Sequence, residues 1–304
     1  MSDPRELYRL EGTAADAQAE VLIISMAGFI DAGGAGRLAS EHLLCSGEAQ
    51  VVARFDLDSL YDYRARRPPM LFVEDHWESY EQPELTVSRL VDSAGKPFLL
   101  LTGPEPDFRW EAFVVSVACL LDDLGVRLTI GLNAIPMAVP HTRPVGITAH
   151  ATRGDLVERY EPWVQRVQVP GSAAHLLEFR LGEQGRDAIG FAAHVPHYLA
   201  QGEFPSAAMR LLQSVEEASG LALPLDKLRE TADEVRRDLD EQVAQSDEVS
   251  GVVRSLEEQY DAFVRGAGSD LLATPNGPLP SADELGAEFE RFLAEQSDKG
   301  EQPS

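Results

Sequence analysis

Residues 21–37, Val-Leu-Ile-Ile-Ser-Met-Ala-Gly-Phe-Ile-Asp-Ala-Gly-Gly-Ala-Gly-Arg, constrain the fold more than any other stretch of this chain. Residues 21–27 are an apolar run of strand length. Such a run fits a strand buried on both faces, as in a parallel sheet covered by helices. Gly28 breaks the run, and residues 31–34 form a small polar turn. Residues 35–44 then resume at helical spacing through Leu38, Ala39 and Leu43. Strand, Gly-rich turn and helix make the first half of a βαβ unit. A helix begun this way points its free N–H groups at whatever lies above the sheet edge.

The same periodicities recur downstream. Strands are expected at residues 49–55, 70–73, 85–91, 97–102, 127–132, 145–151, 176–180 and 188–193. Residues 111–124 are expected to be helical, with Phe113, Val117, Leu120, Leu121 and Leu124 on one face and Gly125 as C-cap. Residues 206–218 form another expected helix. Residues 64–69 are a basic knot stiffened by two prolines, and residues 74–80 are a polar-aromatic loop. Strand–helix alternation of this kind argues for an α/β sandwich.

From Leu225 onward the composition changes. Leu225, Leu228, Ala232, Val235, Leu239 and Val243 step by three and four, as in a coiled coil, and residues 245–247 interrupt them. Val249, Val253, Leu256, Tyr260 and Phe263 make a second stripe. An antiparallel helical hairpin follows, whose stripe (Leu228, Val235, Leu239, Val253, Leu256, Tyr260) packs on its own domain, on a symmetry mate or on a partner. The expected organisation is an N-terminal segment at 1–20, an α/β core at 21–220, a helical hairpin at 221–265, and a linker, short helix and acidic tail at 266–304.

Lys+Arg 26 against Asp+Glu 51 gives a net charge of −25. Residues 201–304 hold 23 acidic and 9 basic residues, so −14 of that charge sits on the helical part. Such acidity repels phosphate backbones and anionic lipid, which argues against nucleic-acid and membrane-surface binding. Cys45 and Cys119 lie in apolar context and are expected as buried thiols. No run approaches the ~18 apolar residues of a membrane span. With no signal-peptide pattern at residues 1–6, a soluble cytoplasmic protein is expected.

Four loops follow buried strands, at residues 28–34, 103–110, 133–144 and 194–198. In open α/β sheets ligands bind at the carboxyl ends of the strands. The first loop offers Gly28, Asp31, Gly33 and Gly34, and the second Glu105, Arg109 and Trp110. The third offers Asn133 and His141, and the fourth His194 and His197. Each also has a purely structural explanation. The glycines match neither G-x-x-x-x-G-K-[ST] nor G-x-G-x-x-G and suit tight backbone packing. Asp31 suits a helix cap, and Arg109 an ion pair or stacking. His194 and His197 flank Pro196 without any accompanying metal-ligand pattern. Ser25 lacks a G-x-S-x-G elbow. No metal or cofactor is expected.

Several stretches resemble the proteasome assembly chaperone 2 family, in its actinobacterial branch. They are Gly28-Phe-Ile-Asp-Ala-Gly-Gly-Ala, Asp62-Tyr-Arg-Ala-Arg-Arg-Pro68, Leu101-Thr-Gly-Pro-Glu-Pro106 with Trp110, and His194-Val-Pro-His-Tyr-Leu199. The resemblance covers roughly residues 20–265. It implies a phosphorylase-like core, a three-layer α/β sandwich with a central mostly parallel sheet, plus an all-helical C-terminal part. It also implies self-association, with trimers as a plausible state. There is no Lys-bearing Gly-rich loop or Mg-ligand carboxylate pair of an ATP-grasp enzyme. The chain ends Gln302-Pro-Ser304, unlike the hydrophobic–Tyr–any-residue ending by which archaeal members engage the proteasome.

Two functional readings result. The favoured one is a non-catalytic, self-associating protein that binds or assembles an undefined protein client. The other is an enzyme acting on a small anionic substrate at the loop edge of the sheet, through Asp31, Glu105, Arg109, Asn133 and His197.

Overall fold

Side-chain alternation in the strands sorts the apolar residues of this chain onto two faces of one sheet. The computed structural model describes residues 3–28, 30–160 and 166–266. The elements are β1 (Tyr8–Leu10), β2 (Val21–Ala27), α1 (Ala35–Cys45), β3 (Gln50–Phe55), β4 (Met70–Val73), β5 (His76–Tyr80), β6 (Thr86–Val91) and β7 (Pro97–Pro104). They continue with α2 (Trp110–Asp123), β8 (Leu128–Met137), β9 (Ile147–Ala151), α3 (Ala173–Glu183), β10 (Asp187–Pro196), α4 (Pro205–Ser219), α5 (Asp226–Ala244) and α6 (Asp247–Gly266).

Eight strands form one sheet in the order β1-β3-β6-β7-β2-β8-β10-β9. The centre, β7-β2-β8-β10, is parallel throughout. Pairing turns antiparallel at both flanks. Five strands (β2, β3, β7, β8, β10) therefore run one way and three run the other. Val21 and Ile23 of β2 join the core under α1 and α4, whereas Leu22 and Ile24 join the core under α2 and α3. This is the expected three-layer sandwich with a mostly parallel central sheet. Both faces of the centre are covered, which is why its strands are continuous apolar runs.

Several elements differ from the sequence expectation. Residues 176–180 are not a strand but the middle of α3. Leu177 and Leu181 are its buried stripe, and Ser172 caps it by accepting from the His175 N–H at 3.1 Å. A five-residue window is too short to show that periodicity. Residues 76–80 are a strand, β5, paired only with β4. β8 and β10 run past their expected ends, so His194 lies inside a strand. Residues 8–10 add β1 to the sheet edge, and Leu7, Tyr8, Ala17 and Ala19 are buried. Cys45 is exposed and Cys119 half-buried, both as free thiols. Cys45 ends its helix, beyond the last buried position, Leu43.

α5 packs on α4, and Leu225 and Leu228 belong to the core under α1 and α4. Val253 and Leu256 of α6 are buried within the chain, and Tyr260 Oη donates to the Pro144 carbonyl at 3.2 Å. The described residues up to Tyr260 form one compact unit. The expected linker beyond Gly266, the short helix at 283–295 and the tail lie outside the described residues. Among the described residues no helix is long and apolar enough to cross a membrane.

Two glycines with positive φ separate backbone strain from packing. Gly12 has φ 92° with open space around it. Gly103 has φ 135°, and a Cβ there would stand 2.1 Å from the Glu84 carbonyl oxygen. Gly12→Ala is expected to cost about 1 kcal/mol and Gly103→Ala about 3 kcal/mol or more. Urea melts of the two variants check this, and equal midpoints would refute the packing argument.

Candidate functional site

The four loops do reach one edge of the sheet, but their side chains do not form one site. The Asp31 carboxylate turns back onto α1, accepting from Gly36 N–H at 2.8 Å and Arg37 N–H at 3.0 Å. It fills the first turn of the helix with the chain's own anion. Gly33 has φ 65°, exchanges backbone hydrogen bonds with Ala200 and Phe204, and has no room for a Cβ beside Phe204. Gly34 is left-handed too, with φ 57°. The turn that resembles a phosphate cradle is thus closed by a carboxylate and by tight packing.

Arg109 opens α2 with φ 58°. Its guanidinium is exposed and makes no hydrogen bond or ion pair among the described residues. Trp110 Nε1 donates to the Pro106 carbonyl at 2.6 Å. His141 is buried, its N–H donating to Tyr198 Oη at 2.9 Å and its Nδ1 facing the same oxygen at 2.7 Å. The hydroxyl therefore gives its proton to Nδ1, which leaves Nε2–H facing Asp240 of α5 at 3.3 Å. Burial pushes the Tyr198 phenol above its ordinary range. This network ties the 138–146 connection to the helical hairpin. His194 is 1% exposed, with Nε2 2.8 Å from Thr148 Oγ1. Burial pushes its pKa down to about 4, so it is neutral at pH 7. His197 is exposed and its ring stands edge-on to Tyr198.

Of the expected set, Gly28, Glu105 and Asn133 are among the described residues that line one cavity. It sits on the sheet face toward α3, over the carboxyl half of β2 and the middle of β8 and β10, against the start of α3, with a volume of about 70 Å³. Glu105 Oε1 accepts from the Ala173 N–H at 2.5 Å, so this carboxylate fills the first turn of α3 as Asp31 fills that of α1. Its Oε2 stands 2.6 Å from where a Gly28 Cβ would lie. The cavity shares His150, Pro170, His175 and Glu178 with an outer groove of about 650 Å³ along α3.

A sequence model of the PAC2 family matches residues 25–243. The chain belongs to the PAC2 family. It is similar in structure to a Mycobacterium tuberculosis protein of unknown function, with TM-score 0.81 and 46% identity over 88% of this chain and 92% of that one. A Corynebacterium glutamicum protein of unknown function gives TM-score 0.80 and 38% identity over 86% and 98%. A Mycobacterium tuberculosis proteasome-assembly chaperone homologue gives TM-score 0.71 and 28% identity over 77% and 99%. No curated protein matches the chain.

Three polar residues of this PAC2 protein's cavity were not expected from sequence. His150 Nδ1 lies 2.8 Å from Glu178 Oε1, and the His175 ring stands edge-on to His150 at 5.7 Å. The His150 ring lies against the bare backbone of Gly190, where a Cβ would come within 2.0 Å of it. Burial, with the neighbouring His150, holds His175 below its usual pKa. His175 and Glu178 are one helical turn apart on α3, a relation hidden when residues 176–180 are taken as a strand. The sequence carried one signal for them, Pro170-Gly171-Ser172, a turn and N-cap ahead of a helix. Among the described residues no group of three or more His, Cys, Asp or Glu side chains is placed to hold a metal ion.

The buried His194 makes the PAC2 core pH-sensitive in one direction. Its folded pKa of about 4 lies below the ordinary 6.5, so the unfolded chain binds the proton more tightly. Its contribution is complete above pH ~6.5 and is lost as the pH falls from there to ~4, up to about 3 kcal/mol. Urea melts at pH 7.5 and pH 5 should show wild type losing more stability than His194→Gln. Equal losses would remove His194 from the account.

Proposed function

We propose that this PAC2 family protein is a non-catalytic, self-associating assembly factor that holds a protein client in the cytoplasm. The observation that carries this reading is the β4–β5 ribbon. The two strands pair only with each other and stand outside the main sheet. Met70, Leu71, Phe72, Trp77 and Tyr80 are all exposed on it, Phe72 at 53% and Trp77 at 62%. Phe72 and Trp77 stack edge-on at 5.1 Å, a preformed aromatic knob. A contiguous patch of this kind marks a protein contact, because each such side chain gains roughly 1.5–3 kcal/mol on full burial. The proteasome-assembly chaperone homologue at 28% identity supports the same class of function.

Charge supports self-association. Arg64 and Arg67 are exposed just before the ribbon, on a chain of net charge −25. Their complement is an acidic surface, and α5 presents one through exposed Glu230, Asp233, Glu234 and Asp238. A contact of ribbon against helices is head-to-tail, and such contacts form a ring when the rotation between copies closes and a filament when it does not. The trimer implied by the family resemblance is the ring we favour. An enzyme for a small anionic substrate has less support, since no Lys or Arg lines the cavity or its groove among the described residues.

Light scattering of the full chain tests the reading. Wild type should have about three times the 33.2 kDa of one chain, and Phe72→Glu with Trp77→Glu should fall to a single chain without losing its melting transition. A wild type that stays monomeric, or a double variant that keeps the assembled mass, would sink the ribbon as the contact.

A further inference from the structure

The cavity at the start of α3 is selective by its chemistry, and that chemistry is neither anionic-substrate binding nor metal binding. Its described polar side chains include two carboxylates, Glu105 and Glu178, and no Lys or Arg. The Glu178 carboxylate accepts, so His150 Nδ1 carries a proton, and Nε2 is the acceptor of the neutral ring. Glu105 spends Oε1 on the Ala173 N–H, and its Oε2 has no hydrogen-bond partner among the described residues. Asn133 Oδ1 accepts from Ala134 N–H at 2.7 Å and keeps one lone pair. The start of α3, where an anion would ordinarily dock, is filled by Glu105 and by Ser172 Oγ. No Lys or Arg is among the described lining residues. Beside the acceptors, Ile24 and Met26 form a short apolar wall on the face toward α3. Gly131 and Gly190, inside β8 and β10, leave the sheet face bare beneath them.

We propose that this cleft, between the sheet face formed by β2, β8 and β10 and the first turns of α3, is a binding site for a small organic cation of the amine or guanidine class. Its alkyl part lies on the apolar wall. Its N–H groups are shared among Glu105, Glu178 and the Nε2 of His150. The His150–Glu178 pair fixes the ring, and Gly190 leaves the space in which the ring lies. A charge-assisted hydrogen bond to a carboxylate is about twice as strong as a neutral one, so two carboxylates are a sufficient anchor. The site is independent of the ribbon and does not depend on the assembly reading.

Calorimetric titration of the full chain with agmatine and with putrescine, in about 0.15 M salt, reads the site. Inorganic phosphate is the anionic control. The expected result is one saturable cation per chain and no phosphate heat. Binding of agmatine alone selects a planar guanidinium head, and binding of both selects the shared amine end. Glu178→Gln keeps the side-chain shape and removes its charge, and it should weaken binding by about tenfold or more. Gly190→Ala puts a methyl group where the His150 ring lies and should do the same from the sheet side. If either variant no longer melts cooperatively, His150→Gln takes its place with the same expectation. The proposal is overturned by no saturable heat from either cation, or by several cations per chain whose binding vanishes as salt rises. Phosphate bound in their place, or unchanged affinity in the variants, overturns it equally.

Discussion

The double burial of β2 is the constraint on which the rest of this structure depends. A strand covered on one face can alternate apolar and polar residues. A strand covered on both cannot, and Val21, Leu22, Ile23 and Ile24 are each 3% exposed or less. Once β2 is central, β7 and β8 must pair beside it, and their connections must cross the faces as helices. Leu99 and Leu100 of β7 repeat the division, one to each core. The N-terminal segment and the base of α5 then close the two layers from outside, with Leu7 in one core and Leu228 in the other.

Helix N-termini at the carboxyl edge of a parallel sheet are the usual place for a bound anion. This chain fills two of them itself. Asp31 occupies the first turn of α1 and Glu105 that of α3. The two carboxylates have different consequences. Asp31 is used up on both oxygens, so the Gly-rich turn is a structural joint. Glu105 uses one oxygen on the helix and leaves the other above Gly28, so the same capping act leaves a negative group beside a cavity. The edge has the topology of an anion site with its polarity reversed.

What sequence could show follows from the length over which each signal accumulates. The seven residues of β2, the fourteen of α2 and the nineteen of α5 are each long enough to be assigned from spacing alone. α3 carries only two fully buried leucines, Leu177 and Leu181, and β5 none, so α3 looked like a strand and β5 like a loop. The candidate residues divided in the same way. Gly28 and Glu105 follow well-marked strands directly, Asn133 lies inside β8, and the three line one cavity. His175 and Glu178 depend on α3 being a helix, whereas His150 lies inside β9, away from the expected loops. Spacing also cannot say whether a histidine faces solvent. His194 and His197 are three residues apart, yet one is sealed inside β10 and the other is exposed.

The apolar stripe of the hairpin and the aromatic ribbon illustrate the same limit in energetic terms. Both expose apolar residues in the sequence pattern. Leu228, Val253 and Leu256 of the stripe are buried by the chain itself, with the turn before β9 tied to α5 through His141 and Asp240 and to α6 through Arg143 and Glu257. Their contribution goes to the stability of one chain and is unavailable to a partner. Phe72 and Trp77 stay more than half exposed after folding, stacked on each other. The exposed parts of the two side chains leave about 2–3 kcal/mol of burial unrealised, which a contact with a second surface would supply. Helical spacing alone singles out the stripe as a candidate for association. The ribbon is the better one because it is still exposed once the chain has folded.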